Sequence, residues 1–115
     1  MGVTVDGSGT QAATIGTEHT LYDSSAAASF ELGVDLVNMA AGDVVEIRVY
    51  KLFKTGGTRR VVVYQIFNDA QPTDGVGTVS VPISTGLTDS GAVRFTLKQT
   101  VGTGRNFDWE VLKIA

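Results

Sequence analysis

Over residues 30–36 every second position is apolar: Phe30, Leu32, Val34 and Leu36 point one way, Glu31, Gly33 and Asp35 the other. That period of two marks a strand with one buried face. The same alternation runs through Val93, Phe95 and Leu97, and again through Phe107, Trp109 and Val111. Between these two runs lies TVGTG, where Gly102 and Gly104 are free to take positive φ. The pattern predicts a closing hairpin over residues 91–115 that pairs Leu97 with Phe107, Phe95 with Trp109 and Val93 with Val111. Its other face would set Arg94 opposite Glu110, a favourable cross-strand pair. Trp109 against Phe95 would be the largest apolar contribution in the core.

The two longest strands are expected over residues 43–54 and 58–68, joined at Gly56-Gly57 by a two-residue type I′ turn. That turn sets Val49 against Tyr64, Ile47 against Ile66 and Val45 against Asn68 on the core face. The opposite face then carries Tyr50, Leu52, Val61, Val63 and Phe67, among Glu46, Arg48 and Gln65. It is more apolar than the solvated face of a monomer requires. These five residues, with Arg59 and Arg60 at the basic tip beside Lys51 and Lys54, are the candidate protein interface.

The remaining segments are shorter. Residues 17–23 read as a strand, residues 24–29 as a turn or an edge. Asn38 is placed to cap a single helical turn through Met39 that Gly42 would end. Residues 69–77 form a loop with Pro72 and Asp74-Gly75 as turn residues. Residues 78–84 alternate Val79, Val81 and Ile83, and Pro82 demotes that strand to an edge. Residues 1–16, rich in Gly, Ser, Thr and Ala, read as an arm that is either flexible or laid on a neighbouring subunit.

Six to eight short strands with regular turn signals predict an all-β fold, an antiparallel β-sandwich of jelly-roll-like or immunoglobulin-like order. At 115 residues the chain holds one domain, expected over residues 17–115. It contains no cysteine, which fits synthesis in a reducing cytoplasm and excludes disulfides, thiol nucleophiles and Cys-ligated zinc. A net charge of −3 repels a phosphate backbone, so nucleic acid is not an expected partner. No apolar run approaches the ~20 residues of a membrane helix, and the N-terminus lacks the basic and apolar regions of a signal peptide.

Catalytic chemistry has little to stand on. His19 is the only histidine, so no His-x-x-x-His pair and no second base exists beside it. The Gly-rich turns lack the Lys-Ser/Thr of a phosphate-binding loop. Asp69, Asp74 and Asp89 lie in loops without calcium-loop spacing and suit turns on their own account. Trp109 is assigned to the core, leaving Tyr22, Tyr50 and Tyr64 as a thin basis for sugar binding. The expectation is a non-enzyme with no catalytic residues, metal or cofactor.

The segments LVNMAAGDVVEIR (36–48), GGTR (56–59) and FTLKQTVGTGRNFDWEVL (95–112) resemble small structural proteins of tailed bacteriophages. The resemblance spans about two-thirds of the chain and leaves out most of residues 1–30. It implies a virion component, made in the bacterial host cytoplasm and too small for a typical major capsid protein. On that basis the chain is expected to be a capsid decoration (cement) protein. It would bind the major capsid protein or other virion proteins as a homo-oligomer, with a trimer favoured. The alternative is a tail, neck or fibre/spike subunit with a receptor- or carbohydrate-binding role. No catalytic residues come with the resemblance.

Overall fold

The computed structural model describes residues 2–71, 77–79 and 82–114. Among the described residues nine strands follow in chain order: β1 (Val3–Ala12), β2 (Glu18–Asp23), β3 (Ala28–Asp35), β4 (Val44–Lys51), β5 (Arg60–Asn68), β6 (Gly77–Val79), β7 (Ile83–Thr85), β8 (Val93–Val101) and β9 (Asn106–Ile114). One sheet runs β1-β9-β3-β6, with β7 also on β3; the other runs β2-β8-β4-β5. Every pairing is antiparallel. β6 and β7 share one side of β3, matching Thr78 to Val34 and Ser84 to Ser29. Each sheet therefore has four strand positions. Numbered along the chain, those positions read 1-8-3-6 and 2-7-4-5. That order is a jelly roll, a long antiparallel ribbon wound into two facing sheets.

The winding overturns the expected closing hairpin. β8 sits between β2 and β4, whereas β9 sits between β1 and β3. Residues 102–105 are thus an arch from one sheet to the other, and Leu97 and Phe107 enter the core from facing sheets and are not cross-strand neighbours. Arg94 makes its ion pair with Asp23, at 2.6 and 3.1 Å, and not with Glu110. Trp109 is half-buried beside Gly7 and Gly9 of β1. Phe95 has Tyr22 as its aromatic neighbour, with ring centroids 6.5 Å apart.

Three further expectations are corrected. Residues 3–12, read as an arm, pair along the whole of β9 from Val3↔Ile114 to Ala12↔Asn106. The expected helical turn at Asn38 is two tight turns, closed by Met39 N–H to Leu36 O and Asp43 N–H to Ala40 O. Asp35, not Asn38, caps the first of them by accepting from Val37 N–H. The link from β4 to β5 is no two-residue turn either. Leu52 N–H leaves the ladder to donate to Ala92 O, Gly56 N–H donates to Asp89, and Arg59 donates to Gly91 O and Ser90 O. The chain therefore spends eight residues, 52–59, outside the hairpin ladder.

With that turn lost, the register moves. Val49 pairs Val63, Ile47 pairs Gln65 and Val45 pairs Phe67, one residue away from expectation, and a bulge at Val62 shifts the last pairs to Tyr50↔Val61. Moving a strand by one residue exchanges its faces. The strand expected over residues 78–84 is described as two, β6 and β7, with Pro82 in neither; both end their sheet, in agreement with the expected edge position. The expected turn at Pro72 and Asp74-Gly75, and Val81, lie outside the described residues.

The core fills the space between the sheets. Phe30, Leu32, Val34, Phe107 and Val111 come from one side; Leu21, Val45, Ile47, Val49, Val93, Phe95 and Leu97 come from the other. Phe30, Phe95 and Phe107 have no exposed surface, and burying each contributes about 2–3 kcal/mol.

Candidate functional site

The outer face of the β2-β8-β4-β5 sheet carries the densest polar arrangement outside the core. Register places Asp23, Arg94, Tyr50 and Val61 in one row across the four strands; Thr20, Thr96, Arg48 and Tyr64 form the next, and Glu18, Lys98, Glu46 and Ile66 the third. The rows grade from charged on β2, β8 and β4 to apolar on β5. Glu18 accepts hydrogen bonds from Thr96 Oγ1, at 2.6 Å, and from Tyr50 Oη. Partial burial pushes its carboxyl up, but these two bonds, with the Arg48 and Lys98 charges, outweigh that and hold it below the usual carboxylate range. Burial and the same Glu18 contact push the Tyr50 phenol up. Arg48 pairs with Glu46 at 2.6 Å and lies 4.8 Å from the Tyr64 ring centre, a cation–π contact.

Within these rows a shallow concavity of about 320 Å³ is lined by Glu18, Thr20, Tyr50, Arg59, Arg94 and Thr96. Its charged groups are already engaged: Arg94 by Asp23, Glu18 by two hydroxyls, Arg59 by two carbonyls. Such a surface can present donors and acceptors to a ligand. His19 lies on β2, where its Nε2 accepts from Thr14 N–H at 3.1 Å. Among the described residues no three His, Asp or Glu side chains gather as metal ligands. Asp69 and Asp89 accept backbone N–H groups of Gly42 and Gly56, in turns distant along the chain.

β5 closes the face with a different chemistry. Val61, Val62, Tyr64 and Ile66 are exposed by 46, 38, 52 and 49 %, along a strand that ends its sheet. The seven residues expected to make one interface are dispersed by the register. Val61 is on the exposed outer face, but Val63 and Phe67 turn inward and pack against the core. Leu52 is buried beneath the β4–β5 link. Tyr50 lies in the polar concavity, Arg59 is tied to residues 90 and 91, and Arg60 is exposed at the start of β5.

Tyr64 and Ile66, assigned to the core by the sequence pattern, are the surface residues that reading missed. Both faces of VVVYQIF are apolar, so alternation alone could not choose between them. Comparison of the chain with protein-family models, curated proteins and solved structures finds no significant match.

Proposed function

We propose that this chain is a structural protein of a bacteriophage particle, a capsid decoration protein that binds and stabilises the coat-protein shell. The observation carrying this reading is the apolar strand β5, whose Val61, Val62, Tyr64 and Ile66 lie exposed at the end of a sheet. A contiguous apolar surface on a small protein suits a protein neighbour. The sequence resemblance supplies the class of neighbour, the major capsid protein or another virion component. The jelly roll is compatible with this role without selecting it, because capsid and lectin domains share the fold. On this reading the chain acts by packing, without a catalytic step, a cofactor, nucleic acid or membrane, and it resides in the virion.

A second reading, a tail, neck or fibre subunit that binds carbohydrate, is favoured by the concavity around Tyr50, Glu18 and Arg94. Quantitative mass spectrometry of purified particles separates the two. A copy number in simple ratio to the coat protein is expected for decoration. A handful of copies per particle moves the chain to the tail or neck, and its absence from particles overturns both readings.

A further inference from the structure

A sandwich of two sheets has four edges, and three of them here carry features that block strand addition. β1 contains Asp6, Gly7 and Gly9, and its register breaks between Val5 and Gly7. β2 begins on Glu18, ends on Asp23 and breaks register between Thr20 and Tyr22. β6 and β7 are three residues each, on either side of Pro82. β5 is different. Residues 61–68, VVVYQIFN, hold no formal charge, glycine or proline, and from Val63 to Asn68 the strand runs in unbroken register with β4. An edge so long, regular and apolar is a template for another strand.

We propose that β5 joins two copies of this chain, antiparallel and about a two-fold axis at Gln65, so that two four-stranded sheets become one continuous sheet. A two-fold axis normal to the sheet keeps each face continuous, so a residue meets only residues from its own face. Centred on Gln65, the pairing sets Tyr64 against Ile66 of the other copy on the outer face. Val63 meets Phe67 of the other copy on the inner face. These are aromatic and β-branched pairs of the kind that stabilise neighbouring strands.

Charge selects the direction. β5 begins with Arg60, opposite Lys51 of β4, and Asp69 follows its end. About an axis at Gln65, Arg60 falls opposite Ala70 and Asp69 opposite Val61 of the other copy, so the unlike charges lie one position apart, while parallel pairing sets Arg60 against Arg60. Like charges directly opposed destabilise a strand pair. The inference deepens the proposed function by naming the first neighbour of its apolar surface, and it rests on that reading for its biological setting.

The test is sedimentation velocity of the full chain over a concentration series. A monomer–dimer equilibrium is expected, and Ile66→Lys raises its dissociation constant by about tenfold or more. At concentrations where the parent is monomeric, circular dichroism and thermal unfolding of that variant stay close to those of the parent, since Ile66 is half exposed. Gln65→Cys, in a chain with no other cysteine, forms a covalent dimer on mild oxidation, because a residue on the axis faces its own copy within disulfide reach. Asn68→Cys, away from the axis, forms none. A monomer at every concentration, a trimer, or a dimer that Ile66→Lys leaves untouched overturns the contact. A monomeric chain that still loads onto particles sinks this inference alone. A β5 dimer absent from particles sinks the virion reading and leaves the contact standing.

Discussion

At the scale of single residues, Gln99 and Gly102, close in sequence, and the distant Asp43 hold the arch between β8 and β9. Gln99 is wholly buried, donating from Nε2 to Val101 O and Thr103 O and accepting from Arg105 N–H at Oε1. Asp43, 1 % exposed, accepts from Ala40 N–H and from Arg105 Nε, each at 2.9 Å. Gly102 has φ 99°, and any Cβ there would overlap Asp43 Oδ1, so both conformation and space demand glycine. Burial pushes the Asp43 carboxyl up, but the Ala40 and Thr103 N–H groups and the Arg105 guanidinium outweigh it and hold it below its ordinary 3.8. Between 3.8 and that lower folded value the unfolded chain binds more protons, so the stabilisation is complete above 3.8 and is lost as pH falls through the folded value. Asp43→Asn is therefore expected to lower stability at neutral pH and to flatten the loss in acid, measured by urea unfolding at a series of pH values. An acid limb as steep as the parent's would place that sensitivity on other carboxylates. Asp43 reads from sequence as an ordinary polar residue, because its charged partner Arg105 is distant along the chain.

At the scale of elements, β5 decides which reading of the β4–β5 pair holds. The observed register turns Phe67 toward the core and Ile66 toward solvent; the register expected from a Gly-Gly turn does the reverse. Phe67→Lys is expected to cost about 2–4 kcal/mol by placing a charge where an aromatic ring packs. Ile66→Lys should stay within about 0.5 kcal/mol, the range of surface substitutions. Chemical denaturation of the two variants measures the difference, and equal losses would contradict the register. The error in expectation has a local cause. Gly56 does turn with φ 73°, and Gly57 N–H closes a turn on Lys54 O, but the flanking residues are drawn to the 89–92 loop instead of pairing with each other. The Gly-Gly signal identifies a turn and the two strands it joins, but not the length of the link or the register it sets.

For the whole molecule, the jelly roll makes the first strand a partner of the last. β1 covers the outer side of β9 through Val3↔Ile114 to Ala12↔Asn106, and Tyr22 of β2 reaches back to donate its hydroxyl to Asp6. Deleting residues 2–12 strips one side of the β9 ladder and uncovers Trp109, which packs beside Gly7 and Gly9. A dispensable arm would leave the melting temperature where it was; an integral strand predicts a large drop or loss of the cooperative transition, read by calorimetry. Closing a ladder between chain ends also requires most loop-closure entropy to be met before that ladder forms, as in other folds dominated by distant pairings.

What the sequence determined by itself is which residues are buried in most strands and that the fold is all-β. Phe30, Leu32, Val34, Leu36, Val93, Phe95, Leu97, Phe107 and Val111 all face the core as their alternation requires. Period-two patterning follows from the pleat of a single strand, so it survives any choice of partner. Register, and every partnership except that of β4 with β5, came only from the tertiary structure. Two inward-facing strands satisfy the same pattern whether they lie side by side in one sheet or across the core in two, which is why the last two strands looked like a hairpin. A strand apolar on both faces, as β5 is, satisfies two registers equally. There the choice fell to side-chain-to-backbone contacts with a distant loop, and that choice placed Tyr64 and Ile66 on the surface.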